Sequence, residues 1–576
     1  MMPLVFSGRF GWLHDAGGSC GVVLCGAQGY EQLCAHKSWR VLAERISAMG
    51  FPVLRFDYGG SGDSLGADRD PHRLADWLES TRLAVAELKS RTDVDRIVFV
   101  GLRMGASFAA RIASDLGGVQ GVAMLAPVAS GRAYVRELSA FARMVARPAQ
   151  GPAGSEPEPG LEVQGFLLSP GTQDDLRTFE LMSASAPPAK KLLLVTPDTQ
   201  ANAPAIAEHY EKLGCTVARA SFDNYAQFIA EPTFSRTPET AFGAVTEWLA
   251  ANFDPGSRRA VAAVKAPTPL AEDGFVDEPV QFGPDGRLFG MLCKPASPKS
   301  DAPTLVFVNA GANPHIGWAR MTVEGARGLA AAGVASFRID AAGLGDSPAI
   351  AGRPDQVMYS MDAVQDVRSA LDCLAERGYG RFNVIGLCSG AHMAFHAAVA
   401  DPRVEGLVMA NLQKFIWKDG DSLEVAVRNA YRSTDFYKGQ AMRLDTWKRL
   451  LRGDIAVAGI AQAILKRVGS AFKARLDVLA ASLSIGADAD MTKVRGWFRA
   501  LSKRGTRILL VYSAEDGGLD ELNHYMGAGG RMAAKLPGVE IAILDGADHN
   551  LTPRWSRLRF FELVSGFIGQ PSSKLP

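Results

Sequence analysis

The stretch VIGLCSGAHMA, residues 384–394, decides the fold of this 576-residue chain. An apolar run ends in Gly-Leu-Cys-Ser-Gly, and small residues that suit a closely packed helix follow it. This is the pattern of a nucleophile elbow, a sharp strand–turn–helix connection whose middle residue carries the reactive side chain. The middle residue here is Cys388, and a thiolate is a good nucleophile. The alternative is a buried cysteine in a tight turn, because free cysteine is often buried.

A second stretch of the same shape, VGLRMGASFA, occupies residues 100–109, but its middle residue is Arg103. An arginine stays protonated and cannot attack a carbonyl. Upstream of each elbow, an apolar strand ends in Arg-x-Asp and runs into a Gly-rich turn with Gly-Asp-Ser, at 50–66 and at 333–349. The matching order and spacing of these segments indicate a duplicated fold.

Both copies alternate short apolar strands with helical patterns, which predicts an α/β protein with two tandem domains, each a mostly parallel, doubly wound sheet. We expect the first domain at 1–253, a linker rich in Pro and Ala at 254–274, and the second domain at 275–576. A mostly helical insertion at about 413–500 is expected to form a lid over the second sheet, and a Pro- and Gly-rich stretch at 147–160 starts an insertion in the first. Ligands of such sheets bind at the carboxyl ends of the strands.

The composition is that of a globular protein, with 47% hydrophobic and 21% charged residues. A formal net charge of +1 gives no strong field for nucleic acid or an anionic membrane. We expect no signal peptide and no membrane span, because neither pattern occurs in the sequence. Seven scattered cysteines without a CxxC pair favour a reducing compartment, the cytoplasm. We expect neither a metal nor a cofactor.

A nucleophile of this kind needs a histidine to take its proton and an acid to orient that histidine. In enzymes with this elbow, the chain order is nucleophile, acid, histidine. After Cys388, Asp516 follows an apolar strand and His549 lies in the loop after the last strand. The other residues considered, each in a weaker context, are His524 for the base and Glu515 and Asp520 for the acid.

An oxyanion hole needs backbone N–H donors, one of them from the residue after the nucleophile, here Ser389. We expect the second donor in the loop after TLVFVNA, from the amide of Gly311 or Ala312. The hydroxyl of Ser389 is a weaker nucleophile candidate because it lies one place past the apex. His392, one turn further along the helix, is a candidate substrate contact, and the alternative is helix packing.

The first copy lacks most of this set. Asp198 stands where an acid is expected, but residues 218–238, which should contain the histidine, contain none. The first copy is therefore predicted to be non-catalytic. Two interpretations of Arg103 stay open: it binds a substrate carboxylate or phosphate, or it pairs with a nearby acid such as Asp57 or Asp63.

These motifs resemble those of the α/β-hydrolase superfamily over nearly the whole chain. VIGLCSGA, FRIDAAGLGDS and NLQKFIWKDGDSLE are similar to bacterial hydrolases, often described as serine-aminopeptidase-like, that are found beside polysaccharide-export or secondary-metabolite genes. The first half, with VLRFDYGGSGDS and VGLRMGAS, resembles companion proteins whose apex is not serine. A cysteine apex departs from the serine pattern and is closer to dienelactone hydrolases, polyhydroxyalkanoate synthases and carrier-protein aminoacyl transferases, which share only the elbow.

A thiol that attacks a thioester forms another thioester, so a cysteine apex favours acyl transfer from acyl-CoA or an acyl- or peptidyl-carrier protein to a hydroxyl, amine or thiol. A thioesterase or esterase with the same residues, and a non-catalytic binding protein, are the alternatives. Residues 425–476 carry a local excess of Lys and Arg, which suits a pantetheine phosphate or an acidic carrier. The same excess also suits a solvated helical face. The two domains are expected to pack on each other.

Overall fold

The computed structural model describes residues 1–145, 158–256, 268–352, 358–418, 421, 423 and 485–569. Most of the stretch expected to start an insertion at 147–160, the middle of the expected linker, most of the expected lid and the whole of the basic segment 425–476 lie outside the described residues. No helix in the described ranges is long and apolar enough to cross a membrane.

The first copy forms one eight-stranded sheet with helices on both faces and a separate two-stranded hairpin. Its described elements are, in chain order, β1 (Met2–Phe6), β2 (Arg9–His14), β3 (Cys20–Cys25), α1 (Gly29–Ala48), β4 (Val53–Phe56), α2 (Arg73–Arg91), β5 (Arg96–Leu102), α3 (Met104–Leu116), β6 (Gly121–Leu125), α4 (Gly131–Val145), β7 (Leu161–Val163), β8 (Phe166–Leu168), α5 (Pro170–Thr178), β9 (Lys191–Thr196), α6 (Ala203–Lys212), β10 (Thr216–Ser221), α7 (Tyr225–Phe228) and α8 (Glu239–Asn252).

The second copy forms a nine-stranded sheet. Its described elements are β11 (Leu270–Glu272), β12 (Phe275–Phe282), β13 (Leu288–Pro295), β14 (Thr304–Phe307), α9 (Met321–Ala331), β15 (Ser336–Asp340), α10 (Met361–Glu376), β16 (Phe382–Leu387), α11 (Ser389–Ala400), β17 (Val404–Ala410), α12 (Ile485–Arg504), β18 (Arg507–Ser513), α13 (Gly518–Met526), β19 (Val539–Leu544) and α14 (Arg554–Phe567).

The two sheets have the same topology. The first runs β1-β2-β4-β3-β5-β6-β9-β10, and the second runs β12-β13-β15-β14-β16-β17-β18-β19 with β11 added at its edge. In each, the two N-terminal strands are antiparallel and the remaining six are parallel to one another. The prediction of a duplicated, mostly parallel α/β fold is confirmed, although the antiparallel N-terminal hairpins were not foreseen.

The C-terminal end of the expected linker is part of the second sheet. Leu270 to Glu272 pair antiparallel with β12, so the linker expected at 254–274 is too long on this side. The reason is that Leu270 is buried in an apolar cluster with aromatic side chains of both copies, Phe10 and Trp12 from the first and Phe289 from the second.

The two copies contact each other through the Gly-Asp-Ser turns that both contain. Asp63 of the first turn accepts hydrogen bonds from His315 Nε2 and Arg338 Nη1 of the second copy, each at 2.6 Å. Arg320 donates to the carbonyl oxygen of Gly62 in the same turn at 2.9 Å. The first turn is therefore held by charged side chains from the other copy.

The second turn is held in the reciprocal way. Asp346 contacts Arg55 of the first copy at 2.6 Å and His36 at 3.3 Å, while Arg40 donates to the carbonyl oxygen of Gly345 at 3.0 Å. Between the two turns, the rings of Phe10 and Phe289 stack with centroids 5.9 Å apart. These residues occupy equivalent positions, since Phe289 pairs with Asp340 and Phe10 lies opposite Asp57, the aspartate that ends the equivalent strand. The interface therefore has approximate two-fold symmetry within one chain.

Candidate active site

The two elbows have nearly identical backbones. Cys388 has φ 56° and ψ −120°, and Arg103 has φ 54° and ψ −124°, an unfavourable region for a residue with a side chain. Each apex N–H donates at 2.9 Å to the carbonyl at the end of the neighbouring strand, Ala410 in the second copy and Leu125 in the first. The turn geometry therefore persists whether or not the apex is a nucleophile.

The three predicted catalytic groups of the second copy come together at the carboxyl edge of its sheet. Asp516, after β18, accepts a hydrogen bond from His549 Nδ1 at 2.6 Å, and both side chains are buried. Cys388 is hydrogen-bonded to His549 and is the one partly exposed cysteine among the seven. The acid thus holds one ring nitrogen of the histidine while the thiol meets the histidine from the elbow.

Burial disfavours the charged form of His549, but Asp516 and Cys388 outweigh it and raise the pKa of the ring well above its usual value. A proton transferred from the thiol to His549 is therefore stabilised on the ring by two acceptors. The other candidates are placed differently: the side chain of Glu515 is exposed, while Asp520 and His524 lie on α13.

Two polar residues after β17 support this arrangement and were not foreseen. The Gln413 amide donates to Asp516 Oδ1 at 2.7 Å, and its Nε2 lies 3.5 Å from His549 Nδ1. Asn411, at φ 47°, donates to the backbone carbonyl of His549 at 2.8 Å. Both residues fix the loop and the orientation of the acid and the histidine. Their only signal in the sequence was their place directly after a strand.

Tyr359 is a further residue that the sequence did not reveal. Its hydroxyl is hydrogen-bonded to Cys388, and its ring stacks on Trp417 with centroids 4.4 Å apart and planes 9° from parallel. Burial, followed by the nearby Cys388, raises the pKa of Tyr359 well above its usual value, so the phenol keeps its proton as a donor. Its backbone has φ 62°, which no periodicity in the sequence could indicate.

The expected oxyanion donors are only partly in place. Ser389 is the first residue of α11, so its N–H has no acceptor within the helix and lies at the positive end of the helix dipole. The N–H of Gly311, however, donates to Ser389 Oγ at 2.9 Å, and that of Ala312 faces Thr233 Oγ1 of the first copy at 3.5 Å. The prediction for these two amides needs correction, because each already faces a side-chain hydroxyl.

His392 packs inside the second copy. Its Nδ1 lies 2.9 Å from the carbonyl oxygen of Lys414, and its ring contacts those of Tyr359 and His396 at centroid distances of 5.1 and 4.3 Å. Burial lowers the pKa of His392 to about 3, so the ring is neutral. These contacts favour the packing interpretation, with His392 placed behind Tyr359.

In the first copy, Arg103 is held by acids other than those expected. Its Nε donates to Glu31 and its Nη2 to Glu137, both at 2.6 Å, and the guanidinium lies over the ring of Tyr134. Asp63 is engaged by the second copy instead, and Asp57 accepts a hydrogen bond from Gln32. Two carboxylates already compensate the charge of Arg103, so its guanidinium is not available to bind an anionic ligand.

The acid expected at Asp198 is also misplaced. The side chain of Asp198 is exposed. Val195 and Val511 occupy equivalent positions in the two copies. The carbonyl oxygen of each accepts a hydrogen bond from the N–H of the residue that follows the fourth parallel strand of its own copy. Counting from these two residues, the place of Asp516 belongs to Gln200, whose amide donates to the carbonyl of Pro127. At the described positions equivalent to Asp516, Cys388 and His549, the first copy therefore has no acid, nucleophile or histidine.

Two family models match the chain, one in each copy. The model described as alpha/beta hydrolase family matches residues 305–559, and the one described as serine aminopeptidase, S33, matches residues 31–155. None of the curated proteins matches the sequence.

Among solved structures, the chain is similar to Est1E from Butyrivibrio proteoclasticus with ferulic acid bound, at 17% identity over 44% of this chain and 99% of that chain, with a TM-score of 0.33. It is also similar to the esterase Pf2001 from Pyrococcus furiosus, at 18% identity over 43% of this chain and 91% of that chain, with a TM-score of 0.30. A putative lipase from Acinetobacter baumannii aligns at 14% identity over 51% of this chain and 92% of that chain, with a TM-score of 0.31.

Proposed function

From the premise that this chain is a tandem α/β-hydrolase protein, we propose that its second copy transfers acyl groups through Cys388 and that its first copy is not catalytic. The observation that carries the proposal is the hydrogen-bonded series Asp516–His549–Cys388, with a thiol at the apex of the elbow. The first copy has Arg103 at the same apex, and the guanidinium of Arg103 is hydrogen-bonded to two glutamates.

The reaction begins with transfer of the Cys388 thiol proton to Nε2 of His549, the ring nitrogen that does not face Asp516. The sulfur then attacks the acyl carbonyl, and the resulting oxyanion accepts a hydrogen bond from the backbone N–H of Ser389. Collapse expels the donor's leaving group, which takes the proton from His549 and leaves an acyl-cysteine. An acceptor then gives its proton to His549 and attacks the acyl-cysteine, and Cys388 regains the proton as its thiolate leaves.

The chemistry of the leaving groups selects a thioester donor. When Cys388 attacks a thioester, the bond formed and the bond broken are both carbon–sulfur, so the step is nearly balanced. When it attacks an amide, the thiolate is the better leaving group and the intermediate returns to substrate. Donors of the acyl-CoA or acyl-carrier class therefore match this nucleophile, with a hydroxyl, an amine or a thiol as acceptor.

The test is the intact mass of the full chain after incubation with acetyl-CoA or palmitoyl-CoA. We expect an acyl adduct on the wild type and none on Cys388→Ala, because the acyl group is carried by that sulfur. Cys215→Ala is the matched control, since Cys215 is also a free cysteine but is buried in the first copy. This control should form the adduct at the wild-type rate.

The acceptor is tested by the rate at which the adduct disappears. N-acetylcysteamine, ethanolamine and glycerol offer a thiol, an amine and a hydroxyl, and loss accelerated by one of them over buffer supports transfer. Loss to buffer that no acceptor accelerates makes the protein a thioesterase. An adduct that persists in Cys388→Ala, or no adduct and no CoA release with the wild type, contradicts the proposed nucleophile.

A further inference from the structure

The loop that follows β14 in the second copy lies directly against the candidate nucleophile elbow. The N–H of Gly311 donates to Ser389 Oγ at 2.9 Å, and Ser389 is the first residue of α11. A Cβ on Gly390 would lie 2.4 Å from the carbonyl oxygen of Asn309, so this glycine allows the close approach of the loop to the helix. The position of the loop therefore sets the space beside the Ser389 N–H, the donor that the proposed oxyanion needs.

Thr233 of the first copy contacts the same loop. This threonine lies between α7 and α8. Its Oγ1 accepts a long hydrogen bond from the N–H of Ala312 at 3.5 Å, and it lies 2.9 Å from the place that a Cβ on Gly311 would occupy. Two adjacent peptide groups of the loop therefore face one hydroxyl from each copy, since Gly311 faces Ser389 and Ala312 faces Thr233.

The remainder of the loop, up to the start of α9, is also held by the first copy. Three buried side chains make these contacts: His315, Trp318 and Arg320. Asp63 accepts a hydrogen bond from the first at 2.6 Å, and the carbonyl oxygen of Gln164 accepts one from the second at 2.7 Å. Four backbone carbonyls of residues 60–66 accept hydrogen bonds from the third at 2.9–3.1 Å. The first copy thus anchors the loop along most of its length.

We propose that Thr233 of the first copy is a positioning residue for acyl transfer at Cys388 in the second. Its hydroxyl accepts the Ala312 N–H and, together with Ser389 Oγ, holds the loop where the oxyanion can meet the Ser389 N–H. This inference rests on the proposed acyl transfer and gives the non-catalytic copy a part in it. Because Thr233 acts through the loop, its loss changes the rate of acylation and not the reactivity of the thiol.

Thr233→Val tests this role, because valine keeps the branched shape of threonine and removes the hydroxyl. The readout is the rate at which the full chain forms the Cys388 adduct, measured by intact mass over a range of acetyl-CoA concentrations, or of palmitoyl-CoA where only the longer donor reacts. We expect the rate at saturating donor to fall about tenfold, less than the 10²–10³-fold cost of removing an oxyanion donor outright. The donor concentration that gives half the maximal rate should change less than twofold, because the oxyanion forms only after the donor has bound.

Alkylation of Cys388 by iodoacetamide separates positioning from a general structural effect, because this displacement forms no oxyanion. Thr233→Val should be alkylated at Cys388 within twofold of the wild-type rate. Thr233→Ser keeps the hydroxyl and should form the acyl adduct within threefold of the wild-type rate. Thr240→Val, the same change at an exposed threonine of the same copy, is the matched control and should react as the wild type does in both assays.

Three results overturn the inference on its own, provided that the wild type forms the adduct. They are acylation of Thr233→Val within twofold of the wild-type rate, an equal loss of acylation and alkylation in that variant, and a loss in Thr233→Ser as large as in Thr233→Val. The second result would indicate a change in the thiol or in the fold, and the third would show that the hydroxyl is not the cause. A wild type that forms no adduct overturns the proposed acyl transfer and this inference together.

Discussion

Replacing the buried Asp63 by asparagine should uncouple the two copies. The Asp63 carboxylate is 1% exposed and accepts 2.6 Å hydrogen bonds from His315 and Arg338, both supplied by the second copy. Asparagine keeps the size and removes the charge, so His315 and Arg338 lose the carboxylate that both contact and keep only acids of their own copy, Asp340 and Asp277. Breaking a buried pair in this way lowers the free energy of unfolding by about 3–5 kcal/mol.

The assay is urea unfolding followed by tryptophan fluorescence and circular dichroism. At an m-value of about 3 kcal/mol/M, a loss of this size moves the midpoint of the affected transition down by about 1 M or more. Since the change removes a contact between copies, the two probes should also separate into distinct transitions. The reciprocal variant Asp346→Asn should behave similarly, because Asp346 is held by Arg55 and His36 of the first copy.

Asp198→Asn is the matched control, since this carboxylate is exposed and a surface change of this kind shifts stability by about 0.5 kcal/mol at most. If Asp63→Asn unfolds at the midpoint of Asp198→Asn with coincident probes, the reciprocal ion pairs do not couple the copies and the reasoning is refuted.

The remaining predictions concern the catalytic edge and the interface. His549→Ala should slow acylation of Cys388 about 10²–10⁴-fold by intact mass, and a rate within twofold of the wild type would exclude it as the base. Tyr359→Phe should slow alkylation of Cys388 by iodoacetamide at pH 7 about tenfold, because a hydrogen bond to a charged group contributes about 1.5–3 kcal/mol; an unchanged rate would remove its positioning role. Burial opposes the charge on His315, but Asp340 and Asp63 raise its pKa well above the usual value. The stability that it contributes is therefore complete below about pH 6.5 and is lost as the pH rises through the folded value. Urea midpoints should fall on the alkaline side in the wild type and less so in His315→Gln. Gly390→Ala should lower the melting temperature, because its Cβ would lie 2.4 Å from the Asn309 carbonyl oxygen.

Local sequence patterns predicted the parallel strands and the turns that follow them. Since the carboxyl ends of parallel strands share one edge, residues directly after strands, such as Cys388, Asp516 and His549, could be expected to meet. Asn411 and Gln413 also follow a strand, but polar residues are common in loops and nothing marked these two as partners of the acid and the histidine. Tyr359 follows no strand, and its contact with the thiol depends on a positive φ.

The interface shows a different limit of sequence reasoning. The Gly-Asp-Ser turns were visible in the sequence as a repeat. A repeat shows that two segments are equivalent, but it does not show that each of them contacts the other copy. Arg103 illustrates the same point, because Glu31 lies on α1 and Glu137 on α4, and only the packing of those helices brings both to the elbow.

The reciprocal interface has a consequence for the synthesis of the protein on the ribosome. Asp63 is synthesised 252 residues before His315, one of the two side chains that neutralise it. At about 5–20 residues per second, the carboxylate waits roughly 13 to 50 s for its counterion. During that interval the nascent first copy presents an acidic turn and an uncovered Phe10. The packing of the first copy is therefore completed only while the second copy is being synthesised.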